Sequence, residues 1–193
     1  MFEIRSTTSH TLVHSQSRIE IHGDKKVPAL DVRLRLKASN HALDLVCPGL
    51  REALMVKGQP DVKPVDAQGK LNLNVDERGK LAFPSMKYPL KFGAEHQGHT
   101  LEVEHGTKDK LRLTLCKVHN FQITPVPGGS CEIEYTVSSN ADIDEHLIGA
   151  FGVKAQTNVA LTLKAAEVQQ EDLIDGKKRK GRTPEQAFAQ TQP

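Results

Sequence analysis

Residues 111–137 constrain this chain more than any other stretch. Leu111, Leu113 and Leu115 alternate with Arg112, Thr114 and Cys116, and Phe121 and Ile123 follow. After Pro125-Val126-Pro127-Gly128-Gly129, the residues Cys131, Ile133, Tyr135 and Val137 alternate with Glu132, Glu134 and Thr136. A period of two gives each strand one buried face, with the three leucines on one side and Cys116 on the other. The Pro-Val-Pro-Gly-Gly run cannot extend a strand, and its glycines allow the positive φ of a tight reversal. The stretch is therefore a β-hairpin, and it requires further strands to cover its apolar face.

The rest of the chain supplies them. Phe2–Arg5 reads as a short first strand, and residues 11–21 as a second, with Leu12, Ile19 and Ile21 apolar around the polar Ser15-Gln16-Ser17. Gly23-Asp24-Lys25-Lys26 is a turn. In Val27–Lys37, Leu30, Val32, Leu34 and Leu36 face one way and Asp31, Arg33, Arg35 and Lys37 the other. Ser39-Asn40 suits a helix N-cap, opening a short helix over 41–46 that Pro48-Gly49 breaks. Residues 58–70 read as a loop, 71–75 as a strand, 81–92 as an edge strand or ordered loop because of its prolines, and 100–104 as a short strand. Ser139-Asn140 is expected to cap a helix over 141–151, ended by Gly152, and a last strand covers 156–164. No long amphipathic helix separates the strands. The expected fold is mainly β, an antiparallel sandwich or open barrel of seven to nine strands with two short helices, over residues 1–164. Residues 165–193 are expected to form a flexible C-terminal tail.

Composition narrows the function. A net charge of +2 does not by itself point to nucleic acid. With no Trp, six Phe and two Tyr, an aromatic-lined cofactor pocket is hard to build, and no cofactor is expected. No apolar run reads as a signal peptide or a membrane span. Three cysteines without a Cys-x-x-Cys pair suit a reducing compartment, so a cytoplasmic location is expected.

The strongest chemical feature is the basic run Lys177, Lys178, Arg179, Lys180 and Arg182, which could neutralise phosphates. An acidic run of Glu167, Glu171, Asp172 and Asp175 precedes it and competes for the same cations. Arg33, Arg35 and Lys37 share one strand face, just after Lys25 and Lys26. With aromatics such as Phe83, Tyr88, Phe92 or Phe121 nearby, that face would suit single-stranded nucleic acid. An ordinary solvated face explains the same pattern. His96, His99 and His105 with Glu95, Glu102 and Glu104 invite a metal reading, but no second cluster of ligands supports it. No nucleophile elbow, phosphate loop or dinucleotide fingerprint occurs, and no acid, base and nucleophile set can be named, so an enzyme is not expected. Residues 37–44 echo 137–144, though any strand-to-helix junction favours Ser-Asn at the cap.

Val27-Pro28-Ala29-Leu30-Asp31-Val32, the Tyr88-Pro89 region, and Cys116-Lys117-Val118-His119-Asn120-Phe121-Gln122-Ile123-Thr124-Pro125 with its Gly-Gly turn form an order of pieces. That order resembles a group of phage and prophage proteins without assigned activity, over most of residues 1–164. The resemblance implies a phage accessory protein made in the bacterial cytoplasm, encoded among replication or recombination genes, and it carries over no functional residues. Together these readings lead to a non-catalytic protein binding single- or double-stranded DNA. The alternative is a protein-interaction module that inhibits a host factor or assembles as a phage component, which leaves room for a homo-oligomer.

Overall fold

The structure is a computed structural model that describes residues 2–57, 78–106 and 109–165. The expected strand at 71–75, the loop at 58–70 and the tail lie outside the described residues. Among the described residues nine strands run in chain order as β1 (Ile4–His22), β2 (Lys25–Ser39), β3 (Met55–Val56), β4 (Lys80–Leu81), β5 (Leu90–Phe92), β6 (His96–His105), β7 (Asp109–Val126), β8 (Ser130–Ser139) and β9 (Asn158–Lys164). The helices are α1 (Leu43–Val46), α2 (Leu50–Leu54) and α3 (Glu145–Val153). Among the described residues no helix is long and apolar enough to cross a membrane.

The sheet returns on itself. Its antiparallel order is β1-β2-β8-β7-β6-β9, and β9 pairs back with β1 from Thr11↔Asn158 to Ile4↔Leu163. The fold is mainly β and antiparallel, as expected, and its wall is a six-stranded barrel closed by the β9–β1 pairing. The long strand β7 makes closure possible by changing partners. Its first half pairs with β6 as far as Val118↔His96, and its second half pairs with β8 from Lys117↔Ser138 to Val126↔Ser130. β5 lies against the second half at Leu90↔Ile123 and Phe92↔Phe121.

That bend needs two irregular residues. Leu115 and Asn120 have φ of +50° and +57°. Each inserts one extra residue and flips which side chains face inward. Buried Leu111 and Leu113 are followed by buried Cys116 and Val118, then by buried Phe121 and Ile123. Leu115 therefore points out, 72% exposed, and Cys116 points in, the reverse of the unbroken alternation. A similar shift between Leu12 and His14 resets β1.

The inward residues form one core. At its centre Phe2 meets Phe121 and Tyr135 edge to face at 5.1 and 5.0 Å, and Phe121 stacks on Tyr135 at 5.9 Å. Phe121 is fully buried and so is not a base-stacking platform. The two expected strands at 2–5 and 11–21 are one continuous strand, β1, because β2 carries the polar Ser15-Gln16-Ser17 by backbone pairing. α3 starts at Glu145, four residues later than the Ser-Asn cap predicts. Ser139 Oγ instead donates to Thr114 O at 2.7 Å, and Asp144 caps the helix by accepting from Leu147 N at 2.7 Å. Nor does Ser39 cap the first short helix through its side chain.

Candidate nucleic-acid interface

β1 and β2 are longer than the barrel is tall. β9 leaves β1 at Thr11, and β8 leaves β2 at Leu30. From Arg18↔Ala29 to His22↔Lys25 the two strands pair, among the described residues, only with each other. Five such pairs project a two-stranded ribbon roughly 16 Å past the wall. Its tip is the two-residue turn Gly23-Asp24, with Gly23 at φ +63° in the first position, where such a hairpin turn demands a positive φ.

The register assigns its two faces. Ser17, Ile19 and Ile21 lie opposite Leu30, Pro28 and Lys26, so they continue the core-facing side of the wall into solvent. Ile19 and Ile21 are 68% and 74% exposed. Arg18, Glu20 and His22 continue the outer side.

The outer side is tied down by a chain of polar contacts. Arg18 Nε and Nη2 donate to Asp31 at 2.8 and 3.3 Å, a two-pronged contact, and Arg18 also pairs with Glu20. Glu20 accepts from Asn140 Nδ2 at 2.9 Å and lies 3.0 Å from His22 Nε2. Hydrogen bonds from His22, Asn140 and Arg18 hold the Glu20 carboxyl down to about 2. Burial works to raise Asp31, but its hydrogen bonds to Arg18 and Ser138 prevail and hold it below the usual carboxylate range. Ser138 Oγ is in turn 2.8 Å from His119 Nε2. Burial first, then the nearby Lys117 charge, pushes His119 down.

A serine between a histidine and a carboxylate invites comparison with a hydrolytic triad, but the proton count runs the other way. An ionised Asp31 can only accept, so the Ser138 hydroxyl donates to it, and His119 Nε2–H donates to Ser138. In that arrangement the serine stands between the histidine and the carboxylate, whereas in a hydrolytic triad the histidine stands between the serine and the carboxylate. The chain His119–Ser138–Asp31–Arg18–Glu20 is best described as a brace from the wall to the ribbon.

The predicted site residues fall in three places. Arg33, Arg35 and Lys37 are together on the outer face of β2, as the alternation requires. The register sets them opposite Thr136, Glu134 and Glu132 of β8. Arg33 and Arg35 share Glu134 at 2.8 and 2.7 Å, and Lys37 meets Glu132 at 3.0 Å. Two carboxylates offset most of that face's positive charge, and sequence alone could not show it because the partners lie about a hundred residues away. Lys25 and Lys26, by contrast, are exposed beside the ribbon tip and enter no ion pair among the described residues. Lys177, Lys178, Arg179, Lys180 and Arg182 lie outside the described residues.

The segment 96–105 does not assemble as a metal site: among the described residues no three His, Cys, Asp or Glu side chains converge. His99 is buried, with Nε2 3.0 Å from Phe2 O, and Glu102 faces Lys110 and Lys164 at 3.5 and 3.6 Å. The element that sequence reasoning missed is the ribbon itself. Its signal was present in the apolar Ile19 and Ile21 beside a Gly-Asp turn, but only the early departure of β8 and β9 exposes them. The chain matches no protein-family model, no curated protein and no solved structure.

Proposed function

We propose that this protein is a non-catalytic nucleic-acid-binding protein and that the β1–β2 ribbon is its docking element. One observation carries the reading. A braced two-stranded ribbon extends past the barrel wall, with exposed Lys25 and Lys26, which enter no ion pair among the described residues, beside its tip and exposed Ile19 and Ile21 on one face. A β-ribbon fits a DNA groove, lysines contact phosphates, and apolar side chains can wedge against base steps. The largely compensated Arg33/Arg35/Lys37 face is a weaker contributor, and the 177–182 run a separate one. The resemblance to phage proteins would make the ligand DNA handled in phage replication or recombination.

The test is binding of labelled single- and double-stranded DNA to the full chain across a salt series. Two phosphate contacts predict a slope of log affinity on log salt of about −2 from the ribbon. Replacing Lys25 and Lys26 by Glu removes that part of the slope and weakens low-salt binding about tenfold or more. Replacing the five basic residues at 177–182 by Gln measures the other contribution. Binding indifferent to the Lys25/Lys26 change, or no binding at low salt, overturns the reading.

A second reading, a protein-interaction module, is favoured by a different feature of the same ribbon, its unguarded β1 edge.

A further inference from the structure

The ribbon has two open edges, and they are unlike. On β2 the residues are Lys25, Lys26, Val27, Pro28 and Ala29. Paired lysines and a proline without an N–H are the devices that keep a strand edge from pairing with another chain. On β1 the edge is open for longer. Past Leu12, which bonds to Gln156 and Thr157, the one further hydrogen bond on that side among the described residues is from the Gln156 side chain to Val13 O, and α3 packs against β1. Residues 14–22 carry no backbone partner on that side among the described residues. This edge has no proline and no lysine, and it includes Ile19 and Ile21.

Its sequence is also self-complementary. When a strand pairs antiparallel with a second copy of itself about a two-fold axis, residues equally spaced from the axis lie opposite each other. An axis at Arg18 would oppose two arginines, and an axis at Glu20 two glutamates, both unfavourable. An axis at Ile19 sets Arg18 against Glu20 of the second copy, twice, sets Ile19 against Ile19, and sets Ser17 against Ile21. Of these three axes the charge pattern favours the one at Ile19, and that register covers the exposed isoleucines.

We infer that the β1 edge of the ribbon pairs with the same edge of a second copy of this chain, antiparallel and centred on Ile19, to form a four-stranded sheet across a two-fold axis. The pairing leaves Lys25 and Lys26 of both copies on the outer edges. It uses no nucleic acid, and because it covers Ile19 and Ile21, DNA contact by the dimer would fall to Lys25 and Lys26 rather than to an apolar wedge.

The experiment is sedimentation of the full chain, without nucleic acid, up to about 100 μM, the range in which a small interface of this kind associates. The wild-type chain dimerises in a concentration-dependent way. Ile19→Lys, at a side chain already exposed, raises the dissociation constant about tenfold or more with the melting temperature unchanged. A Cys47→Ser background then reads the register. Ile19→Cys forms an intermolecular disulfide under mild oxidation, because the two residues face each other across the axis. Ser17→Cys does not, because its copies stand about 13 Å apart, beyond disulfide reach. A monomer at every concentration, a dimer indifferent to Ile19→Lys, or cross-linking at position 17 equal to that at 19 would each overturn the inference.

Discussion

β1 and β2 pair from Thr11↔Arg35 to His22↔Lys25 with one irregularity at Leu12–His14, yet the two ends of that pairing live in different environments. Within the wall, Leu12 sits opposite Leu34, and both are fully buried. Farther along the same face, Ile19 sits opposite Pro28, and Ile19 is 68% exposed. The local pattern of the two segments is the same. What differs is the third strand: β9 flanks β1 beside Leu12, β8 flanks β2 beside Leu34, and neither reaches Ile19. Apolar alternation states which residues share a face, and the neighbours decide whether that face is covered.

The largest effects test that contrast directly. Leu34→Ala leaves a cavity in a closed core and costs about 2–5 kcal/mol, whereas Ile19→Ala stays within about 0.5 kcal/mol for the monomer. Urea unfolding of both at low protein concentration measures the difference, and equal losses would mean that the ribbon's apolar face is covered in the monomer.

A pH series sharpens the same contrast through His10, which is buried in the wall with Nδ1 3.2 Å from Thr8 O and whose pKa burial lowers. As pH falls, the unfolded chain takes up its proton before the folded one does. The stability His10 contributes is therefore complete above the unfolded value near 6.5 and lost as pH falls towards the lower folded value. His96, pushed down by burial and by His99, and His119 act in the same direction. Stability should drop from pH 7 towards 5, by up to about 1.4 kcal/mol per pH unit for each proton taken up. His10→Asn, whose amide can still donate to Thr8 O, should flatten that drop, and an unchanged slope would assign the proton uptake to other groups.

The smallest effect concerns the bend in β7. Leu115 holds φ at +50° with its side chain in solvent, so glycine there relieves strain while losing little burial. Leu115→Gly should raise stability by up to about 1 kcal/mol in urea unfolding. A loss instead would show that the Leu115 side chain is held by contacts worth more than the strain.

The β7–β8 hairpin, the inward leucines of β2 and the proline-marked edge at β5 were legible because each depends on a local period or on a residue with restricted backbone angles. The start of α3 was not, since Ser139 finds a better acceptor at Thr114 on a strand distant in sequence. Of the candidate site, the common face of Arg33, Arg35 and Lys37 was legible, and the carboxylates that accompany it were not.

The mainly-β character, the antiparallel hairpin near the centre and the identity of most strand faces are written in local pattern, because alternation and turn chemistry act over a few residues. Closure of the sheet, the outward turn of Leu115 with Cys116 inward, and the reach of β1 and β2 past their neighbours arise from tertiary pairing. Closure, bulge position and strand overhang depend on the register between strands far apart in the chain, and no local pattern records that register.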